Sequence, residues 1–192
     1  MTEPAEILEF WFAGDPSARR AVWFQKDDGF DAGCRRFDAG CRRFEGAHVA
    51  AKRGELDRWA AKPERALALL ILLDQLSRNL HRGSPETFAA DPKARAIASA
   101  AIALGLDRGM TAVQRMFVYL PFEHSEDLAD QERSVALFES IRAELGDSTV
   151  DYAARHRDVI QRFGRFPHRN TVLGRANTPA EEAYLAEPGA GF

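Results

Sequence analysis

An unbroken apolar run from Ala66 to Leu73, carried on by Leu76 and Leu80, constrains this chain more than any other feature. On a helix, Leu67, Leu69, Leu70, Ile71, Leu72, Leu73, Leu76 and Leu80 surround the whole circumference, and such a helix must be covered on every side. The run is far too short to span a bilayer, so the cover has to come from the rest of the protein. Pro63 opens the helix at a first-turn position, where its missing N–H is no loss. Asp74 and Arg78 interrupt the apolar surface one turn apart, and two charges in such surroundings are expected to pair with each other or with close neighbours.

The covering elements read as further helices, because almost every segment has the helical period and none alternates like a strand. Ile7, Leu8, Trp11 and Phe12 mark a short amphipathic opening helix, and Trp23-Phe24 sits in a turn before Asp28. Phe30, Cys34, Phe37, Cys41, Phe44 and His48 then step by four and three in turn, a seam of the coiled-coil type on a helix that reaches about Arg53 and ends at Gly54. Inside it Asp-Ala-Gly-Cys-Arg-Arg-Phe occurs twice, from Asp31 to Phe37 and from Asp38 to Phe44. A heptad is nearly two helical turns, so the copy rotates the face by only about 20° and prolongs the seam. Gly33 and Gly40 each weaken that helix by about 1 kcal/mol relative to alanine.

Downstream, Asp91-Pro92 starts an alanine-rich helix that ends near Gly105. Thr111 and Gln114 form a capping-box pattern for a helix stopped by Pro121. Ser125 is placed to cap the next helix, whose face carries Leu128, Val135, Phe138, Ile141 and Leu145 before Gly146 ends it. Another helix runs from about Val150 to Phe163, where Gly164 stops it, and Thr178-Pro179 with Glu181 opens a short last one. The expected fold is all-α: about eight or nine helices in one domain over residues 1–192.

Composition narrows the function classes. A chain of 192 residues suits one domain that buries roughly 70% of its unfolded surface. A net charge of -3 gives no overall basic field, and no helix shows a basic stripe interleaved with aromatics, so neither nucleic acid nor a membrane is an expected partner. The acidic start Met-Thr-Glu-Pro-Ala-Glu does not read as a secretory signal. Cys34 and Cys41 stand about 10 Å apart along a helix axis, too far to bridge; they read as small core residues, and the cytoplasm is the expected location. Oligomeric state is left open.

Three polar clusters interrupt the apolar framework. The first is Asp74, Gln75, Arg78 and Asn79, with Arg82 beyond. The second is Glu123-His124-Ser125-Glu126-Asp127. The third is the loop from Phe163 to Asn170, with Arg165, His168, Arg169 and Asn170, followed by Arg175. Glu123, His124, Asp127 and His168 are suitable metal-ligand types. No His-Glu-x-x-His, paired Glu-x-x-His or cysteine cluster occurs, however, and no metal or other cofactor is expected. General acid–base chemistry would use His124 or His168 beside Glu123 or Asp127. No Gly-x-Ser-x-Gly elbow is present, and His156, on an apolar stripe with Tyr152, Ile160 and Phe163, reads as a core histidine.

Anion binding matches the donors better. Arg78, Arg165 and Arg169 carry forked donors suited to carboxylate or phosphate, and Asp74, Gln75, Asn79 and Asn170 complete the expected ligand-binding set. The same arginines suit an internal network with Asp74, Glu123 and Asp127 equally well, because buried carboxylates demand partners. The leading expectation is a polar cleft for an anionic small molecule.

Several longer strings carry a resemblance. They are Ile7-Leu8-Glu9-Phe10-Trp11-Phe12, Trp23-Phe24, Leu73-Asp74-Gln75 with Arg78-Asn79, Pro121 to Asp127 with Gln131, and Phe163 to Asn170 with Leu173-Gly174-Arg175. Together they resemble the bacterial family known as domain of unknown function 924 over nearly the whole chain. The resemblance implies a fold like that of tetratricopeptide-repeat proteins, which the sequence itself does not signal, since no repeat of about 34 residues is visible. It carries no established activity, but it suggests the competing expectation, a scaffold that binds a peptide or partner protein in a concave helical groove. The duplicated heptad looks like an insertion relative to the family pattern, and Leu76-Ser77 and Leu80-His81 stand where Phe-Pro and Met-Phe are expected.

Overall fold

The computed structural model describes residues 2–23 and 39–191. Among them every regular element is a helix or helical turn and no strand occurs, as the periodicity predicts. Phe24, Phe30, Cys34, Phe37 and the first copy of the repeated heptad lie outside the described residues. The helices are α1 (Pro4–Phe12), α2 (Glu45–Lys52), α3 (63–80), α4 (Asp91–Ala103), α5 (Ala112–Glu123), α6 (Leu128–Glu139), α7 (Arg142–Leu145), α8 (Asp147–Phe163) and α9 (Pro179–Leu185). They group into two compact units, Met1–Arg82 with Glu86–Pro121, and Gly83–Pro85 with Phe122–Phe192.

In the first unit α3 is the central helix, with every residue from Ala66 to Leu73 fully buried and α1, α2 and α4 packed on it. It is not α-helical throughout. Pro63–Leu70 is α, Ile71–Leu76 is a π turn, and Ser77–Leu80 returns to α. A π turn offsets carbonyls from the usual ladder, and side chains take up three of them. His48 Nδ1 donates to the Leu72 carbonyl at 2.9 Å, Ser77 Oγ to Leu73 at 2.7 Å, and Arg78 Nη1 to Asp74 at 2.8 Å.

The expected seam through Cys41, Phe44 and His48 is broken. Phe44 has φ -98° and ψ 4°, and α2 starts afresh at Glu45. Cys41, Phe44 and His48 are nevertheless buried. Gly40 is required by close approach, since a Cβ there would lie 2.5 Å from the Phe10 ring. Gly54 ends the segment with φ +86°.

Helix α5 also departs from expectation, running through Pro121 to Glu123. Its last carbonyls find a partner from outside the helix. Gln131 Nε2 donates to the carbonyls of Phe122 (3.3 Å), Glu123 (2.7 Å) and Ser125 (2.6 Å). In the second unit α6 and α8 pack along each other. Asp127, not Ser125, caps α6, its Oδ1 accepting from the backbone N–H groups of Ala129 (2.8 Å) and Asp130 (3.2 Å). The helix expected from Leu128 to Leu145 is two, because Ile141 leaves helical geometry with φ -120° and ψ 10°. Gly164 ends α8 in the left-handed region at φ +69°, as predicted. The loop beyond it folds as a 3-10 turn, Pro167–Arg169, and Phe166 enters a small core with Val159 and Ile160.

Candidate functional site

The first cluster, in the first unit, is an internal network. Asp74 is fully buried and accepts from Gln75 Nε2 at 2.5 Å. Arg78 bridges two carboxylates, at 3.1 Å from Asp74 Oδ1 and through two 3.0 Å bonds to Asp91. The predicted Asp74–Arg78 pair is present. Its second carboxylate, Asp91, read in the sequence only as a helix-start residue. Asn79 Nδ2 donates to the buried Cys41 thiol at 3.6 Å.

The second unit draws part of the other two clusters together. Buried Glu123 ends α5 and half-buried His124 follows it, His156 lies on α8, and His168 and Arg169 come from the Pro167–Arg169 turn. Phe166 organises this group. Its ring centre lies 5.6 Å from that of His156 and 5.5 Å from that of His168, and the Arg169 guanidinium covers it at 4.5 Å. His156 Nδ1 donates to the Tyr152 carbonyl at 2.9 Å and stands 3.8 Å from Glu123 Oε1. The Tyr152 ring lies 4.8 Å from the His156 ring.

The electrostatics of the group are lopsided. Burial pushes the His156 imidazolium down to a pKa of about 3; the bond to the Tyr152 carbonyl opposes this, and His124, Arg169 and His168 lower it further. His156 is therefore neutral at ordinary pH, with its proton on Nδ1. Burial, then the Glu123 carboxylate, raises the Tyr152 phenol. The arrangement is a neutral imidazole beside a carboxylate, faced by positive or protonatable groups. Such a setting attracts an anion and can move a proton.

The remaining candidates hold the loop in place. Arg165 binds Glu181 through bonds of 2.6 and 2.8 Å and donates to the Ala176 carbonyl at 2.9 Å. Arg175 binds Glu126 through bonds of 2.7 and 2.9 Å, and Glu126 also accepts the Phe166 N–H at 2.8 Å. Asn170 donates to Asn177 at 2.8 Å. Arg165 holds the Glu181 carboxyl well below the usual range, and Arg175 with the Phe166 N–H lowers Glu126 against the opposing effect of burial. Asp127 is exposed and occupied as the α6 cap. Among the described residues no group of three or more His, Cys, Asp or Glu side chains stands ready to hold a metal ion.

His156 and Tyr152 were missed as site residues. Their spacing of four on a mostly apolar stripe is that of core packing, and only the tertiary approach of Glu123 changes its meaning.

The profile of the family described as "Bacterial protein of unknown function (DUF924)" matches residues 7–189. No curated protein matches the chain. The fold is similar to the solved structure of a protein of unknown function from Agrobacterium tumefaciens, with a TM-score of 0.81 and 42% sequence identity over 95% of this chain and 96% of that one.

Proposed function

The chain belongs to the bacterial family of unknown function DUF924, and from the geometry of its second unit we propose that it binds a small carboxylate or phosphate anion against His124, His168 and Arg169, with His156 and Glu123 carrying acid–base chemistry. The observation that carries this reading is the setting of His156. A buried neutral imidazole 3.8 Å from a carboxylate is surrounded by three groups that repel its proton. An arriving anion offsets that repulsion and raises the His156 pKa toward the working range of a general base. Glu123 then stabilises the imidazolium that forms. Binding and activation are one event in this reading.

Calorimetric titration with phosphate and with succinate tests it. The parent protein is expected to bind one of them, and Arg169→Met to weaken that binding by about tenfold or more, as loss of a charge-assisted bond does. Equal heats for parent and variant would sink the proposal.

One observation favours a second reading, a scaffold for a peptide or partner protein. An open groove of about 280 Å³ runs along α8 between Arg155, Val159, Arg162 and Phe163 on one side and Tyr184 with residues 187–190 on the other. The close packing of α6 on α8 supports the tetratricopeptide-like label in the same spirit. The burial of Cys41 supports its reading as a small core residue, and with it a cytoplasmic location.

A further inference from the structure

The histidine group of the second unit adjoins the open groove along α8. Tyr152, Arg155, His156, Val159, Arg162 and Phe163 fall on one face of that helix, because they are spaced by one, three or four residues. His156 belongs to the histidine group, while Arg155, Val159, Arg162 and Phe163 line the groove. The two are joined on both sides. Along the helix, the Arg155 guanidinium lies 5.7 Å from the centre of the Tyr152 ring, which in turn lies 4.8 Å from the His156 ring. On the opposite wall, Arg155 Nη2 donates to the Gly189 carbonyl at 3.3 Å. Two residues on, a Cβ added to Gly191 would lie 3.0 Å from the His168 Cβ. The floor is shared as well. Val159 and Phe166 belong to one small core, against which Phe163 and Tyr184 pack.

The groove differs from the histidine group in character. Its arginines, Arg155 and Arg162, are balanced by Asp158 and Glu187, and Asp158 already accepts from Arg157 at 2.6 Å. A second charged group therefore gains little there. Its flat surfaces are the Phe163 and Tyr184 rings, 5.2 Å apart and tilted by 46°. The Arg162 guanidinium lies 4.7 and 5.9 Å from their centres. Rings beside a stacked guanidinium favour a planar, apolar group. We propose that the groove is the tail subsite of a ligand whose charged end sits against His124, His168 and Arg169, a subsite that rests on the anion reading of that cluster. The ligand class is then a carboxylate or phosphate that carries an aromatic ring, the ring lying over Val159, Phe163 and Tyr184. Along α8, Val159 stands about 4.5 Å and Phe163 about 10.5 Å beyond His156, so about three or four atoms link charge and ring. A volume of about 280 Å³ is at the small end for ligand pockets, which suits one ring and its linker.

Calorimetry with two matched pairs tests the subsite: butyrate with 4-phenylbutyrate, and propyl phosphate with 3-phenylpropyl phosphate. Within each pair only the ring differs. In the pair whose charged end is accepted, the ring should tighten binding to the parent by about tenfold. Arg162 is exposed, so Arg162→Ala keeps the fold. That variant should reduce the preference for the ring to about two- or threefold, with the affinity for the ringless partner unchanged. Tyr184→Ala should do the same. Arg169→Met should weaken both members of the pair by the same factor. Equal affinities within the accepted pair would overturn the tail subsite and leave the anion site standing. A ring preference that survives both Arg162→Ala and Tyr184→Ala would also overturn it. So would binding of the ring compound that Arg169→Met does not weaken, since the groove would then be a separate site. Failure of all four compounds to bind would remove the anion site and the tail subsite together.

Discussion

At the residue scale, the structure separates side chains that look alike in the sequence. Arg165, Arg169 and Arg175 all lie in or just beyond one loop. Two of them clamp carboxylates from elsewhere in the second unit, while Arg169 lies across Phe166 among the histidines. Asp127 illustrates the same division. Its neighbourhood suggests a catalytic carboxylate, but its oxygen caps α6. Asp127→Asn should therefore leave stability nearly unchanged, while Asp127→Ala should cost about 1 kcal/mol in urea denaturation. An asparagine variant as unstable as the alanine one would show that the charge, not the cap, matters there. None of this was legible in the string Glu-His-Ser-Glu-Asp, which offers two residues with cap chemistry and no means of choosing between them.

At the element scale, helices were legible wherever one face is apolar, because a 3.6-residue period is a local property. Breaks depend on contacts that the period does not encode. Helix α5 passes through Pro121 and ends under Gln131, whose amide serves three carbonyls. Gln131→Leu leaves those carbonyls without their donor and should destabilise the protein by roughly 2–3 kcal/mol; a melting temperature within a degree of the parent would contradict that role. The second copy of the duplicated heptad gives a sharper case. Gly40 meets the Phe10 ring, so Gly40→Ala should destabilise by about 1–3 kcal/mol through overpacking, although alanine is the better helix former. A stabilised variant would show that helix propensity wins at this site. The π turn in α3, Ile71–Leu76, left no trace in the helical pattern of the sequence. Its partner Arg78 lies one turn on along the same helix, while the reach of His48 toward the turn is set by tertiary packing.

At the scale of the whole molecule, the sequence reading expected one cleft lined by three clusters. The first cluster is an internal ion network of the first unit, and the candidate site draws on the second and third clusters within the second unit. The long apolar helix announced the all-α architecture plainly. The identity of the site did not announce itself, because Glu123 and His156 are far apart in the chain and meet only after folding. Titration follows from the same burial. His156 has a folded-state pKa of about 3, below the unfolded value near 6.5. The unfolded chain therefore binds the extra proton first as the pH falls. The stability this neutral histidine contributes is complete above pH ~6.5 and is lost on the way down to about 3, at up to about 1.4 kcal/mol per pH unit. His48 acts in the same direction. Glu126 and Glu181, both depressed by arginine partners, add a second loss below the ordinary carboxylate range. Urea midpoints should fall steadily from pH 6.5 to 5 in the parent and more shallowly in His156→Gln. A flat parent profile over that interval would contradict the burial of a neutral His156.

The central claim is that an anion switches His156 from a silent imidazole to a base. Nitrogen-15 NMR of the imidazoles through a pH titration, with and without succinate or phosphate, tests it most directly. Without the anion, the His156 resonances should remain those of the neutral ring, protonated on Nδ1, down to about pH 4. With the anion, protonation should move up by at least one pH unit, while His124 and His168 shift in the same sense. A His156 that titrates near its ordinary value in the free protein, or one that ignores both anions, would contradict the account.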